Sequence, residues 1–161
     1  MNRQNLFADA PWDVEGTDSR SRIFWRPDDA RMGGTLYELD PGYDGDRVHM
    51  HYGTEEMFFV LGGRIVVRNL EGEEELAAGD FLFCPEGRAG LHAFSNPHDE
   101  PARILAMSAG SYPDVVAYPQ DGYAWVATRV PELPPGEDPG IIARFEFRPD
   151  RPDHRIDPTS G

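Results

Sequence analysis

Short apolar runs separated by turn residues dominate the middle of the chain. From Gly33 onward they fall at residues 35–39, 48–51, 57–61, 65–67, 81–84, 91–94 and 104–107. Between most of them stand turn signals: Asp40-Pro41-Gly42, Tyr52-Gly53-Thr54, Gly62-Gly63, Glu71-Gly72, Ala78-Gly79-Asp80 and Asn96-Pro97. Runs this short, rich in Val, Ile, Phe and Leu and punctuated this often, predict an all-β antiparallel sandwich or barrel. The segment before them is polar, with isolated aromatics at Phe7, Trp12, Phe24 and Trp25. It reads as an arm, residues 1–32, that docks on the core or on a second subunit. A barrel spans 33–112. The Pro-rich extension, 113–161, is expected to be irregular apart from one strand at 141–147; residues 114–117 begin a helical turn that Pro119 ends.

Composition narrows the function. The chain has 161 residues, 39% hydrophobic, with 17 Gly and 15 Pro, which suits one domain of many turns. Its net charge of −14 opposes nucleic-acid binding. All fifteen basic residues are Arg, which excludes Schiff-base chemistry, a lysine general base and the phosphate-gripping lysine of nucleotide loops. Cys84 is the single cysteine, so neither an internal disulfide nor a thiolate metal cluster forms; before Pro85 it reads as a small buried hydrophobe. No run has the length of a membrane span, and residues 1–7 lack the apolar stretch of a signal peptide, so a cytoplasmic protein is expected.

The chemistry gathers at His49-Met50-His51. In a strand this spacing aims both imidazoles at one face with Cα atoms about 7 Å apart, close enough to share one ion. The Tyr52-Gly53-Thr54 turn then returns a strand opening on Glu55-Glu56 beside the pair. Alternation puts Glu56, Phe58 and Val60 on one face and Glu55, Met57, Phe59 and Leu61 on the other; both are apolar beyond the glutamates, so periodicity leaves the choice of carboxylate open. His92 joins this group only if the sheet closes on itself.

Residues Gly42, His49, His51, Glu56 and Gly63 resemble the first motif of the cupin superfamily, and Gly79, Pro85, Gly87, His92 and Asn96 resemble the second. Gly42 lies one residue further from His49 than the usual pattern, and two extra residues separate Gly87 from His92. The resemblance covers about residues 33–110. It implies a cupin-type double-stranded β-helix, a jelly roll, in which His49, His51, Glu56 and His92 bind one divalent metal; the motif spacing selects Glu56 over Glu55. Three imidazoles and a carboxylate suit Fe, Mn, Ni, Co or Zn. Two open positions on the ion admit a small-molecule substrate or ligand.

Further candidates surround this set. Arg47 shares parity with the histidine pair and is a candidate for holding an anionic substrate group; the alternative is a rim pair with Asp44 or Asp46. Tyr37 is a candidate proton donor lining the barrel, against simple packing. Phe58 and Phe83 read as cavity wall, and His98 and His154 as exposed. The function expected is that of a metal-dependent enzyme, leaning to a dioxygenase, with an isomerase or decarboxylase, or a non-catalytic binding module, as alternatives. Small cupins pair through outer strands, so the resemblance also implies a homodimer. The residues preceding the barrel are too few for a DNA-binding helix-turn-helix.

Overall fold

A computed structural model of the chain describes residues 3–25, 31–45, 47–110, 113–127 and 141–146. These form thirteen strands: β1 (Val14–Glu15), β2 (Ser19–Trp25), β3 (Met32–Leu39), β4 (Met50–His51), β5 (Thr54–Gly62), β6 (Arg64–Arg68), β7 (Glu73–Ala77), β8 (Phe81–Cys84), β9 (Ala93–Ser95), β10 (Ala102–Gly110), β11 (Asp114–Tyr118), β12 (Tyr123–Ala127) and β13 (Ile141–Glu146). One sheet has the order β1-β2-β3-β10-β5-β8. Opposite it lie the sheets β13-β12-β11-β4 and β7-β6-β9, joined by an isolated bridge between His49 and His92. The architecture is an all-β jelly roll. Among the described residues no helix is long and apolar enough to cross a membrane.

Alternation along the strands builds the core. Register sets Tyr37, Ile104 and Val60 side by side across β3, β10 and β5, and Ala106, Phe58 and Leu82 across β10, β5 and β8. Apart from Tyr37, which is 37% exposed, these side chains pack with Ile65 and Val67 of β6, both without solvent exposure, and with Phe94 of β9. Gly63 makes the β5–β6 turn at φ +72°, where an added Cβ would stand 2.6 Å from the Pro101 carbonyl oxygen, so only glycine fits.

Three expectations are corrected. Residues 114–117 are not a helical turn but part of β11, because Val115 to Tyr118 pair with β12 across a loop that contains Pro119. The segment after residue 112 carries three strands rather than one, β11 to β13; Phe147 and His154 lie outside the described residues. Phe83 is 46% exposed on the outer face, opposite Met57, rather than lining the cavity.

Residues before 26 contribute β1 and β2, the latter hydrogen-bonded along β3. The stretch ahead of them lies over the outer face of the same sheet, where the Arg22 guanidinium donates to the carbonyls of Leu6, Ala8 and Ala10. Beneath it Glu38 is buried between its register partners Arg20 on β2 and Arg103 on β10, accepting hydrogen bonds from both. Burial alone would raise the Glu38 carboxyl; the two guanidiniums outweigh it and hold the group below its ordinary value. A depressed folded value means that this stabilisation is complete above the unfolded carboxyl's titration and vanishes as pH falls through the folded value. Urea unfolding of Glu38→Gln should therefore show a loss of about 1–3 kcal/mol at pH 7, shrinking toward zero below about pH 4.

Candidate metal centre

His49 and His92, far apart in the chain, exchange two backbone hydrogen bonds: His49 N–H to His92 O at 3.0 Å and His92 N–H to His49 O at 2.9 Å. This bridge sets their rings 4.5 Å apart, centroid to centroid. His51 follows two residues on, its ring 5.3 Å from that of His49. The same alternation turns Val48 and Met50 to the other face, where they pack with Leu91, Ala93, Ala117 and Ala124. Glu56 faces these imidazoles from β5; Glu55 points out and is exposed.

One ligand atom each from His49, His51 and Glu56 lie within 4.8 Å of one another, a spacing that can hold a metal ion. The Oε2 atom of Glu56, sealed from solvent, is 3.4 Å from His51 Nε2 and 3.4 Å from His92 Nε2. His49, His51 and Glu56 thus form the group that could hold an ion, and His92 lies outside that group but beside it, against Glu56. The two extra residues before His92 are absorbed by a 3-10 turn at Gly87–Gly90. That turn lies so close to Pro85 that a Cβ on Gly90 would stand 1.8 Å from the Pro85 carbonyl oxygen.

Each imidazole is aimed by an acceptor at Nδ1. His49 Nδ1 bonds the Arg47 carbonyl at 2.9 Å, His92 Nδ1 the Gly90 carbonyl at 2.8 Å, and His51 Nδ1 the Asp114 carboxylate at 2.6 Å. An acceptor there places the proton on Nδ1 and leaves Nε2 with its lone pair, the tautomer a metal ligand needs. Burial, reinforced by His49, pushes His92 down to about 3, so its ring is neutral. At His51 burial also favours the neutral form, yet hydrogen bonding to Asp114 and the charge of Glu56 outweigh it and raise the group. Asp114 is held low despite its own burial, chiefly by His51. The donor set, with imidazoles whose Nδ1 atoms are held by acceptors and a sealed carboxylate oxygen, fits a divalent transition metal.

Asp114 was not singled out by sequence. It lies 63 residues from His51 and also accepts the Gly53 N–H at 2.8 Å, so no local pattern marks it. The cavity of about 190 Å³ between the sheets is lined by Tyr37, Phe58 and Ile104 together with His49, Glu56 and His92. Arg47 is absent from that lining. Its guanidinium stands in a groove beyond His49, 3.7 Å from Asp121 and 3.3 Å from the Tyr123 hydroxyl, so its rim partner is Asp121 rather than Asp44; Asp46 lies outside the described residues. Cys84 is buried, and burial pushes its thiol up to about 12. His98, expected to be exposed, has a side chain only 16% exposed, with Nε2 3.3 Å from Glu75.

A family model described as the cupin domain matches residues 35–108. The chain is a small cupin-domain protein. Among solved structures this cupin is similar to a provisionally named sugar phosphate isomerase from Acidithiobacillus ferrooxidans. The match has 29% identity and TM-score 0.55 over 59% of this chain and 60% of that one, so the chain spans less than two thirds of that protein. It is similar to the TT1209 protein of Thermus thermophilus, at 30% identity and TM-score 0.58 over 68% of this chain and 98% of that one. The fold is shared with RemF, a polyketide cyclase from Streptomyces resistomycificus, at 21% identity and TM-score 0.58 over 71% and 83%. No protein with a curated description matches.

If Asp114 aims His51, removing its charge loosens the site without removing a ligand. Asp114→Asn should retain the fold by circular dichroism and weaken metal affinity about 10–100-fold in chelator competition.

Proposed function

We propose that this cupin is a metal-dependent enzyme in which His49, His51, Glu56 and His92 hold one divalent transition metal and a small organic molecule is turned over beside it. The observation that carries this reading is the approach of His51 and His92 Nε2 to the Glu56 carboxylate beside His49, with Nδ1 of all three histidines committed to an acceptor. A bound metal supplies Lewis acidity to a substrate oxygen. The chain's own groups do the rest. Asp114 and the Arg47 and Gly90 carbonyls keep the imidazoles oriented. Phe58 and Ile104 exclude water from one side of the cavity, and Tyr37, on the same cavity wall, carries a hydroxyl suited to donating or accepting a proton.

The chemistry supported best is isomerisation or decarboxylation of a carbonyl substrate. Its support is the likeness to the Acidithiobacillus protein, whose provisional name is that of such an isomerase. A dioxygenase is the second reading, favoured by the donor set: three imidazoles and one carboxylate suit Fe(II) and leave room for substrate and oxygen together. We further infer a homodimer. The outer face of β5 and β8 exposes Phe59, Phe81 and Phe83, with Phe59 and Phe81 rings 4.9 Å apart, an apolar patch suited to a second copy.

Elemental analysis of protein purified without chelator should find about one equivalent of transition metal, lost in the His49→Ala, His51→Ala double variant; metal-free wild-type protein would sink the metal reading. Turnover that persists without oxygen in Mn-, Zn- or Ni-loaded protein supports the isomerase, whereas oxygen uptake confined to the Fe(II) form supports the dioxygenase. Light scattering should give about twice the 18.1 kDa chain mass, and a monomeric mass overturns the pairing.

A further inference from the structure

The groove beyond His49 is built by strands outside the matched cupin segment. β11 and β12 supply Tyr118, Tyr123 and Trp125, and β13 supplies Arg144; with Arg47 and His49 they enclose about 570 Å³, within the range of small-molecule sites. The rings form a graded stack leading away from the metal centre. His49 lies parallel to Tyr118 within 24° at 5.6 Å, and Tyr118 parallel to Tyr123 within 21° at 4.7 Å. Trp125 closes the side at 5.1 Å from Tyr118. At the far end both guanidiniums sit on Tyr123, Arg144 at 4.3 Å from the ring centre and Arg47 at 5.9 Å.

We propose that this groove is the substrate's anchoring site: it takes a small organic anion, a carboxylate or phosphate, on Arg47 and Arg144, so that the molecule's other end reaches the metal centre past His49. This rests on the reading of the centre as catalytic and adds the class of substrate.

Three features carry it. In a chain of net charge −14, two arginines facing one groove make a local positive island, which concentrates anions there. Tyr123 is 6% exposed, so the ring beneath the guanidiniums is fixed, and the Arg47 bond to its hydroxyl orders one fork in advance. His49 lines both the groove and the inner cavity, which makes the two spaces neighbours across one ring. Arg47 and His49 are two residues apart on one segment, so the same stretch of backbone sets a guanidinium in the groove and an imidazole at its boundary with the inner cavity. The carboxylate of Asp121, 3.7 Å from Arg47, is the internal competitor. Arg47 is 64% exposed, and a rim pair of this kind is weak enough for an incoming oxyanion to replace.

Calorimetric titration of the full chain, as purified, with glycerol 3-phosphate, malonate and neutral glycerol tests the assignment. Saturable binding of at least one anion and none of glycerol is expected. The anion that binds identifies phosphate or carboxylate as the recognised group. Arg47→Gln and Arg144→Gln should each weaken the binding about tenfold, while Arg64→Gln, which removes the same charge from the exposed pair with Glu75, leaves it unchanged. Circular dichroism on every variant separates lost binding from lost fold. Failure of both anions to bind, equal binding of glycerol, or equal weakening by Arg64→Gln overturns the proposal. Metal content measured on the same samples keeps the two readings apart. Arginine-dependent binding by metal-free protein upholds the groove and refutes the metal centre. Arginine-independent binding by metal-loaded protein refutes the groove alone.

Discussion

The reciprocal backbone bridge between His49 and His92 is the constraint on which the site and much of the fold depend. With the Tyr43–Asn96 bridge it ties the segment leading into β4 to the segment of β9, so the same two residues help to close the second layer and present two imidazoles. Backbone geometry in a sheet is stiff, and ring positions set from it need little further ordering. The Nδ1 anchors are equally economical. For His49 and His92 the acceptor is the carbonyl two residues earlier, Arg47 and Gly90. His51 follows immediately on His49 in the alternation and takes its anchor from another strand, the Asp114 carboxylate on β11.

Two buried carboxylates in this acidic chain do different jobs by the same physics. Glu38 on the outer face is kept ionised by two arginines and ties β2, β3 and β10 together. Asp114 on the inner side is kept ionised by an imidazole and a backbone N–H, and fixes the direction of a ring. Neither is stabilised by the net charge of the protein, which works against both; each depends on a partner within hydrogen-bond reach. Arginines 47 and 144 are the counterpart, cations held at a groove by an aromatic face rather than by a buried acid.

The strands most legible from sequence were those with apolar residues on both faces or sharp turns at both ends. β3, β5, β6, β8 and β10 all contain the apolar runs that mark them. β7 was missed because its residues Glu73-Glu74-Glu75-Leu76-Ala77 bury only Leu76, too little to register as a period. β2 was read as arm because its Ser, Arg and Ile mixture acquires meaning only when Arg20 meets Glu38 across the register. At β11 Pro119 suggested a broken helix, although Asp121-Gly122, with Gly122 at φ +72°, was an available hairpin signal between Val115–Tyr118 and Tyr123–Val126.

By itself the sequence determined that the chain would fold into short antiparallel strands, and which side chains are candidates for holding a metal, because strand alternation and turn residues are local properties and the motif spacing is written along the chain. Glu56, which the motif spacing selects and alternation left open, faces the imidazoles; tertiary structure alone decided that Asp114 stands behind His51 and that Arg47 belongs to a groove with Arg144 instead of to the inner cavity. Those outcomes depend on which face of one strand packs against which face of another, and on hydrogen bonds closing over dozens of residues. No window of local sequence contains that information.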